Sequence, residues 1–140
     1  MAFRVVSDLV HDQDILTVDA DMSVREATRG MDVRNVGAVL VLNKDGLLVG
    51  IFTERDLLRR VVAQGRDPNE TPVAEVMTAN PDTVSPRHAA VEALRLMRDG
   101  RYRHLPVVDG GRILGILSQR DFWGDEVAVV DNQYELWQRL

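Results

Sequence analysis

Two short phrases in the chain set a hydroxyl and a carboxylate three residues apart with an arginine between them. They are Thr53-Glu54-Arg55-Asp56 and Ser118-Gln119-Arg120-Asp121. Each follows a glycine and two apolar residues, Gly50-Ile51-Phe52 and Gly115-Ile116-Leu117, where an extended run gives way to helix. A hydroxyl at such a junction, together with the first unbonded amides of the helix, favours anions and hydrogen-bond acceptors. A carboxylate one turn later can accept from two vicinal hydroxyls, as a ribose offers, and its charge strengthens each bond. The same spacing is also that of a capping box, which would only start the helices. The usual reach-back residue of that motif is Glu or Gln, as in Ser23-Val24-Arg25-Glu26, whereas both phrases use Asp. The two roles are compatible, since an N-cap does not exclude a ligand.

The phrases are the end of a longer internal repeat. Thr17-Val18 returns as Thr83-Val84, Glu26-Ala27 as Glu92-Ala93, and Arg29 with Met31 as Arg95 with Met97. Val41-Leu42-Asn43 returns as Val107-Val108-Asp109. The offset is 66 residues up to this point and 65 beyond it, and the slip falls in a turn, Asn43-Lys44-Asp45-Gly46 against Asp109-Gly110-Gly111. Surface turns tolerate such changes, so the flanking strands are equivalent.

A chain of 140 residues suits one ordinary domain or two small halves. A half of about 60 residues buries too little surface to be stable alone, so the halves are expected to pack as one folding unit. No apolar run approaches the roughly 18 residues of a membrane span, and Met1-Ala2-Phe3-Arg4 lacks a signal core. With no cysteine, disulfides, thiol catalysis and thiolate metal sites are excluded. These features fit a cytoplasmic protein. The net charge of -5 disfavours nonspecific nucleic-acid binding. Of the 17 basic residues only Lys44 is lysine. Arginine dominance reflects either genomic base composition or forked contacts to phosphate. His11 and His88 read as surface residues, no metal-ligand spacing appears, and no nucleophile stands with a base, so no catalytic residue is assigned.

Each repeat reads as strand, helix, strand, strand, helix. In the first, Ile15 to Val18 is extended, Ser23 with Glu26 forms a capping box, and Val24, Ala27 and Met31 make an apolar stripe at helical spacing. Ala38 to Leu42 and Leu47 to Phe52 are strands about an Asp45-Gly46 turn, and Leu57, Leu58, Val61 and Val62 line one face of the closing helix. In the second, Val91, Leu94 and Met97 form the stripe and Gly100 supplies the helix stop. Leu105 to Val108 and Ile113 to Leu117 are the hairpin strands, and Gly124 cuts the last helix short. Short helices lead into both repeats, near Val5 to Val10 and over Val73 to Met77, the latter opened by Thr71 as N-cap and Pro72 at the first helical position. The expected division is repeat one over 5–63, a polar linker over 64–72, repeat two over 73–124, and a tail over 125–140 that can form one more helix. Trp123, Trp137 and Leu140 then offer a contact surface.

These units, each ending in Gly-apolar-apolar-Thr/Ser-x-x-Asp, resemble a tandem pair of CBS domains, a Bateman module. Val73-Ala74-Glu75-Val76-Met77-Thr78 and Arg103-His104-Leu105-Pro106-Val107-Val108-Asp109 add to the resemblance, which runs from about Val5 to about Gly124. It implies an α+β fold of two β-α-β-β-α repeats about a pseudo-two-fold axis through small mixed sheets, here as a stand-alone pair. It also implies a regulatory ligand containing adenosine (AMP, ADP, ATP or S-adenosylmethionine) in the cleft between the repeats, no obligatory cofactor, a homodimer, and an unknown regulated partner. By the resemblance, Thr53 with Asp56 and Ser118 with Asp121 read the ribose. Thr17, Val36, Gly37 and Ala38, and in repeat two Thr83 and Tyr102 with the neighbouring Arg103 and His104, line the adenine. Arg55, Arg101, Arg103, His104 and Arg120 face the phosphates. Small residues such as Gly37 and Ala38 can equally be core, and a basic cluster can equally be a solvated face. The alternative to a ligand sensor is a ligand-free dimerisation or protein-interaction module.

Overall fold

The computed structural model describes residues 3–10 and 15–139; His11 and Leu140 lie outside the described residues. The chain forms two compact units, one holding residues 15–81 and the other holding 82–139 together with 3–10. The fold is mixed α+β, as expected.

In the first unit, β1 (Thr17–Asp19) is followed by α1 (Val24–Arg34), β2 (Ala38–Leu42), β3 (Leu48–Thr53) and α2 (Glu54–Asp56). α2 runs directly into a π-helical stretch over Leu57–Val62. A 3-10 turn at Val73–Glu75 precedes β4 (Thr78–Ala79). The sheet order is β1-β2-β3-β4, with β1 parallel to β2 and the other pairs antiparallel. The stripe Val24, Ala27 and Met31 is buried, and it packs with Val18, Val39, Val41, Phe52 and Val61. The Ser23 hydroxyl accepts from the Glu26 amide at 3.2 Å, the first half of the expected capping box.

In the second unit α3 (Ala90–Gly100) precedes the hairpin of β5 (His104–Asp109) and β6 (Arg112–Ser118). The strand expected at Thr83-Val84 is reduced to one parallel bridge, Val84 to Val107. Both hairpins carry a register shift at the same place, between Val41 and Leu42 and between Val107 and Val108. The pairs Leu42–Leu48 and Val108–Ile113 enclose loops that differ by one residue, which accounts for the slip in offset. The shorter loop turns on Gly110 and Gly111, both at positive φ, as a two-residue hairpin requires.

Each lead-in is stitched onto the other repeat. Val73 and Ala74 amides donate to the Met22 and Ala20 carbonyls, and the Val24 amide donates to Thr71 O. The second unit has the same three bonds, from Val6 to His88 O, Ser7 to Pro86 O, and Ala90 to Arg4 O, at 2.8–3.0 Å. These bonds satisfy amides at the helix entry that have no partner within the helix. They also deliver apolar side chains: Val73 and Val76 to the first core, Val6 and Leu9 to the second. Each unit thus holds a buried apolar cluster completed by lead-in side chains. Each unit of about 60 residues closes its own core with borrowed residues. Thr71 is no N-cap: it is buried, Pro72 takes the cap position, and its carbonyl serves α1.

Three further expectations are corrected. The residue at the end of α3 in the left-handed conformation is Arg101 (φ 58), matching Asn35 (φ 54) after α1; Gly100 is still helical. Gly100 is needed for space, since a Cβ there would lie 2.1 Å from Cε1 of Tyr102. The π-helical stretch, with bonds such as Ala63 N to Leu58 O, widens the turn. It buries Val61 but leaves Leu58 60% and Val62 65% exposed, so the four apolar residues do not share one inward face. Gly124 starts a helix and does not end one: the 3-10 turn Gln119–Asp121 stops at Phe122, and α4 (Gly124–Gln138) follows.

α4 docks on α3 through buried Val130 and polar pairs, including Arg95 with Gln133 and the Tyr134 hydroxyl donating to Asp99. Its first turn is held by Arg4. The guanidinium spans both oxygens of Glu126, at 2.6 and 3.1 Å, donates to Asp121 O, and stacks over the Trp123 ring at 3.6 Å. Glu126 also accepts from the Trp123 amide at 2.8 Å. Burial alone would raise the Glu126 pKa. The Arg4 hydrogen bonds, the Trp123 amide and the Arg4 charge outweigh it and hold the carboxyl below its ordinary value.

The contribution of this pair is fully present above the ordinary carboxyl pKa of 4.5 and is lost as pH falls through the depressed folded value. Urea unfolding from pH 7 to pH 3 should therefore show a steeper acid loss for the native protein than for Glu126→Gln; parallel curves would overturn the assignment. Gly50 carries the second prediction. A Cβ there would lie 2.2 Å from Sδ of Met77, so Gly50→Ala should lower the unfolding free energy by about 1–3 kcal/mol in the same assay.

Candidate functional site

The repeated phrase of the first unit lies at the end of β3. Ala38 pairs with Thr53 and Thr17 with Leu40, so the starts of the parallel strands β1 and β2 share one edge with the end of β3. That register brings together Thr17, Val36, Gly37, Ala38, Thr53 and Asp56. Ala38 is buried, Val36 packs against the core, and Thr17 is exposed. Arg55 is exposed on the same short helix.

The phrase is a complete capping box. Thr53 Oγ1 accepts from the Asp56 amide at 3.2 Å, and Asp56 Oδ2 accepts from the Thr53 amide at 3.0 Å and from Thr53 Oγ1 at 3.2 Å. Asp56 is buried, and its other oxygen lies 3.5 Å from Nε of Arg60, whose Nη1 donates to Met77 O at 2.7 Å. The Arg60 contact was missed in the sequence, although it stands one helical turn beyond Asp56. A second contact needs the strand register to be seen. The Glu54 amide donates to Gly37 O at 3.0 Å, and the Glu54 carboxylate lies against Gly37, where a Cβ would stand 3.2 Å from Oε1.

In the second unit His104 pairs with Ser118, and Asp121 Oδ2 accepts from the Ser118 amide at 2.7 Å. Asp121 is half-buried; Arg120 and Arg103 are exposed, and Arg101 is the left-handed residue after α3. Thr83 is exposed beside the Val84 bridge. The Tyr102 hydroxyl donates to Asp82 Oδ2 at 2.7 Å, a partner that sequence reasoning did not supply. Burial first, then the Asp82 bond and charge, push the Tyr102 pKa far up, so the phenol stays a neutral donor. His88 is exposed and its Nδ1 accepts from the Ser85 amide. Among the described residues no cluster of three or more His, Asp or Glu could hold a metal ion, and no helix is long and apolar enough to cross a membrane.

The CBS domain family profile matches residues 6–63 and 73–122. The Arabidopsis thaliana CBS domain-containing protein CBSCBSPB1 is 39% identical over 120 residues, 86% of this chain and 22% of that protein. The chain thus spans about a fifth of the length of this relative. The Bacillus subtilis CBS domain-containing protein YhcV is 37% identical over 76% of this chain and 75% of its own length. Among solved structures, a CBS domain protein from Pyrobaculum aerophilum complexed with AMP superposes with a TM-score of 0.81, at 26% identity, over 91% of this chain and 98% of that one.

The capping geometry predicts a stability cost independent of any ligand. Thr53→Ala should lower the unfolding free energy by about 0.5–2 kcal/mol, read by urea titration of the ligand-free protein. An unchanged midpoint would mean that the box does not hold α2.

Proposed function

Because the chain belongs to the CBS-domain family, we propose that this regulatory module binds an adenosine-containing ligand, such as AMP, ADP, ATP or S-adenosylmethionine, at its repeated phrases and acts as a non-catalytic metabolite sensor for a partner protein. The observation that carries the reading is the shared edge of β1, β2 and β3. There a hydroxyl, a buried carboxylate and a glycine meet within one unit, and the second unit repeats the hydroxyl and a half-buried carboxylate at Ser118 and Asp121. A carboxylate so placed can take two ribose hydroxyls through charge-assisted bonds. Thr17, Val36 and Ala38, with Thr83 and Tyr102 in repeat two, supply the surroundings of a flat base. Arg55, Arg101, Arg103, His104 and Arg120 supply positive charge for phosphates. The AMP complex of the Pyrobaculum protein supports the same ligand class. A ligand shifts such a module only by its differential affinity for two states.

A second reading, dimerisation or protein interaction, is favoured by the apolar residues left exposed: Leu58 and Val62 beyond the first phrase, and Leu136 and Trp137 on α4. The readings separate in one calorimetric titration of the purified protein with AMP, ADP, ATP and S-adenosylmethionine at fixed salt. Saturable binding should weaken by about 1.5–3 kcal/mol when the occupied phrase loses its carboxylate, in Asp56→Ala or Asp121→Ala. Absence of binding across the panel, from folded protein, would replace the sensor by the interaction module.

A further inference from the structure

We infer that Glu54 is a specificity-determining residue, which bars phosphorylated adenosine from the repeat-one site while Gln119 admits it at repeat two. The inference rests on the ligand class proposed above and assigns the two phrases different ligands. The strand registers Ala38–Thr53 and His104–Ser118 make Gly37 the counterpart of Arg103, and Glu54 the counterpart of Gln119. In repeat one the Glu54 carboxylate lies against Gly37, with its amide bonded to Gly37 O. The place of the exposed Arg103 in repeat two is thus taken in repeat one by a glycine with the Glu54 carboxylate against it, while Arg55 and Arg120 are common to both phrases.

The ribose-reading carboxylates differ in the same sense. Asp56 is buried, accepts from both Thr53 donors at Oδ2 and faces Arg60 with Oδ1, so part of its acceptor capacity is used within the unit. Asp121 is half-buried, Asp125 and not an arginine follows it four positions on, and the arginine at hand, Arg4, donates to its backbone carbonyl at 3.1 Å. A like charge facing a phosphate disfavours it strongly, whereas an uncharged nucleoside is little affected. Repeat one is thus built to prefer a neutral or cationic adenosyl group, and repeat two an anionic one.

The test compares AMP with adenosine by calorimetry in the native protein, Glu54→Gln and Gln119→Glu. Glutamine keeps the shape of glutamate, and both positions open a short helix whose cap lies elsewhere. Glu54→Gln should tighten AMP at repeat one by about tenfold or more, or reveal it as an added site, and leave adenosine unchanged. Gln119→Glu should weaken AMP at repeat two by a similar factor, again without moving adenosine. Equal changes for AMP and adenosine, or no change for either, would overturn the inference while leaving the ligand class intact. Binding of neither compound to the native protein would overturn this inference, whereas the ligand class falls only if ADP, ATP and S-adenosylmethionine also fail to bind.

Discussion

Three backbone hydrogen bonds at the entry of α1, repeated at the entry of α3, hold the architecture in place. An isolated repeat would start its first long helix with unbonded amides and a core open on one side. The lead-in answers both needs. Its carbonyl caps the helix, its amides bond the preceding loop, and its valines or leucine enter the core. Once α1 is anchored at Val24, the stripe of Ala27 and Met31 packs on β2, and β2 sets the register that brings Gly37 beside Glu54. The chemistry at the end of β3 is thus a downstream result of bonds made elsewhere in the unit.

The hydroxyl and carboxylate of each phrase answer a structural need before any ligand arrives. Thr53 and Asp56 satisfy one another's backbone amides, which fixes the carboxylate in one place. A group already held pays little further ordering cost on binding, so the capping and recognition readings reinforce one another. The price is acceptor capacity. Asp56 has less left over than a carboxylate with only the amide to serve, and Arg60 takes a further share. Duplication supplied two copies of one solution, and substitutions around the phrases, Glu54 against Gln119 and Gly37 against Arg103, made their electrostatics diverge.

Much of this was legible in the sequence because it depends on local pattern. The period of Val24, Ala27 and Met31, the apolar runs of the hairpins and the glycine turns are short-range signals, and the structure follows them. The features that escaped depend on tertiary context. The exchange of lead-ins cannot be read from residues that look alike in both repeats. The left-handed position at Arg101 was assigned to Gly100 because glycine is the usual choice, and the ring of Tyr102 that needs the glycine is a neighbour only in space. The helical face of Leu57, Leu58, Val61 and Val62 presumed a regular period, which the π-helical stretch breaks. The Glu54 contact required the register of two strands, and the Arg4 clasp on Glu126 joins residues at opposite ends of the chain.

The crossed lead-ins carry an evolutionary consequence. The segment that completes the second unit lies before the first repeat, and the segment that completes the first unit lies after it. A single ancestral repeat with one lead-in would meet the same bonding pattern by trading that segment with an identical copy. The duplicated chain then reads as two such copies joined end to end, with the trade made permanent by a covalent connection. The join lifts the requirement for sequence identity between partners, and the freedom it grants is visible where Glu54 and Gly37 in one half stand against Gln119 and Arg103 in the other.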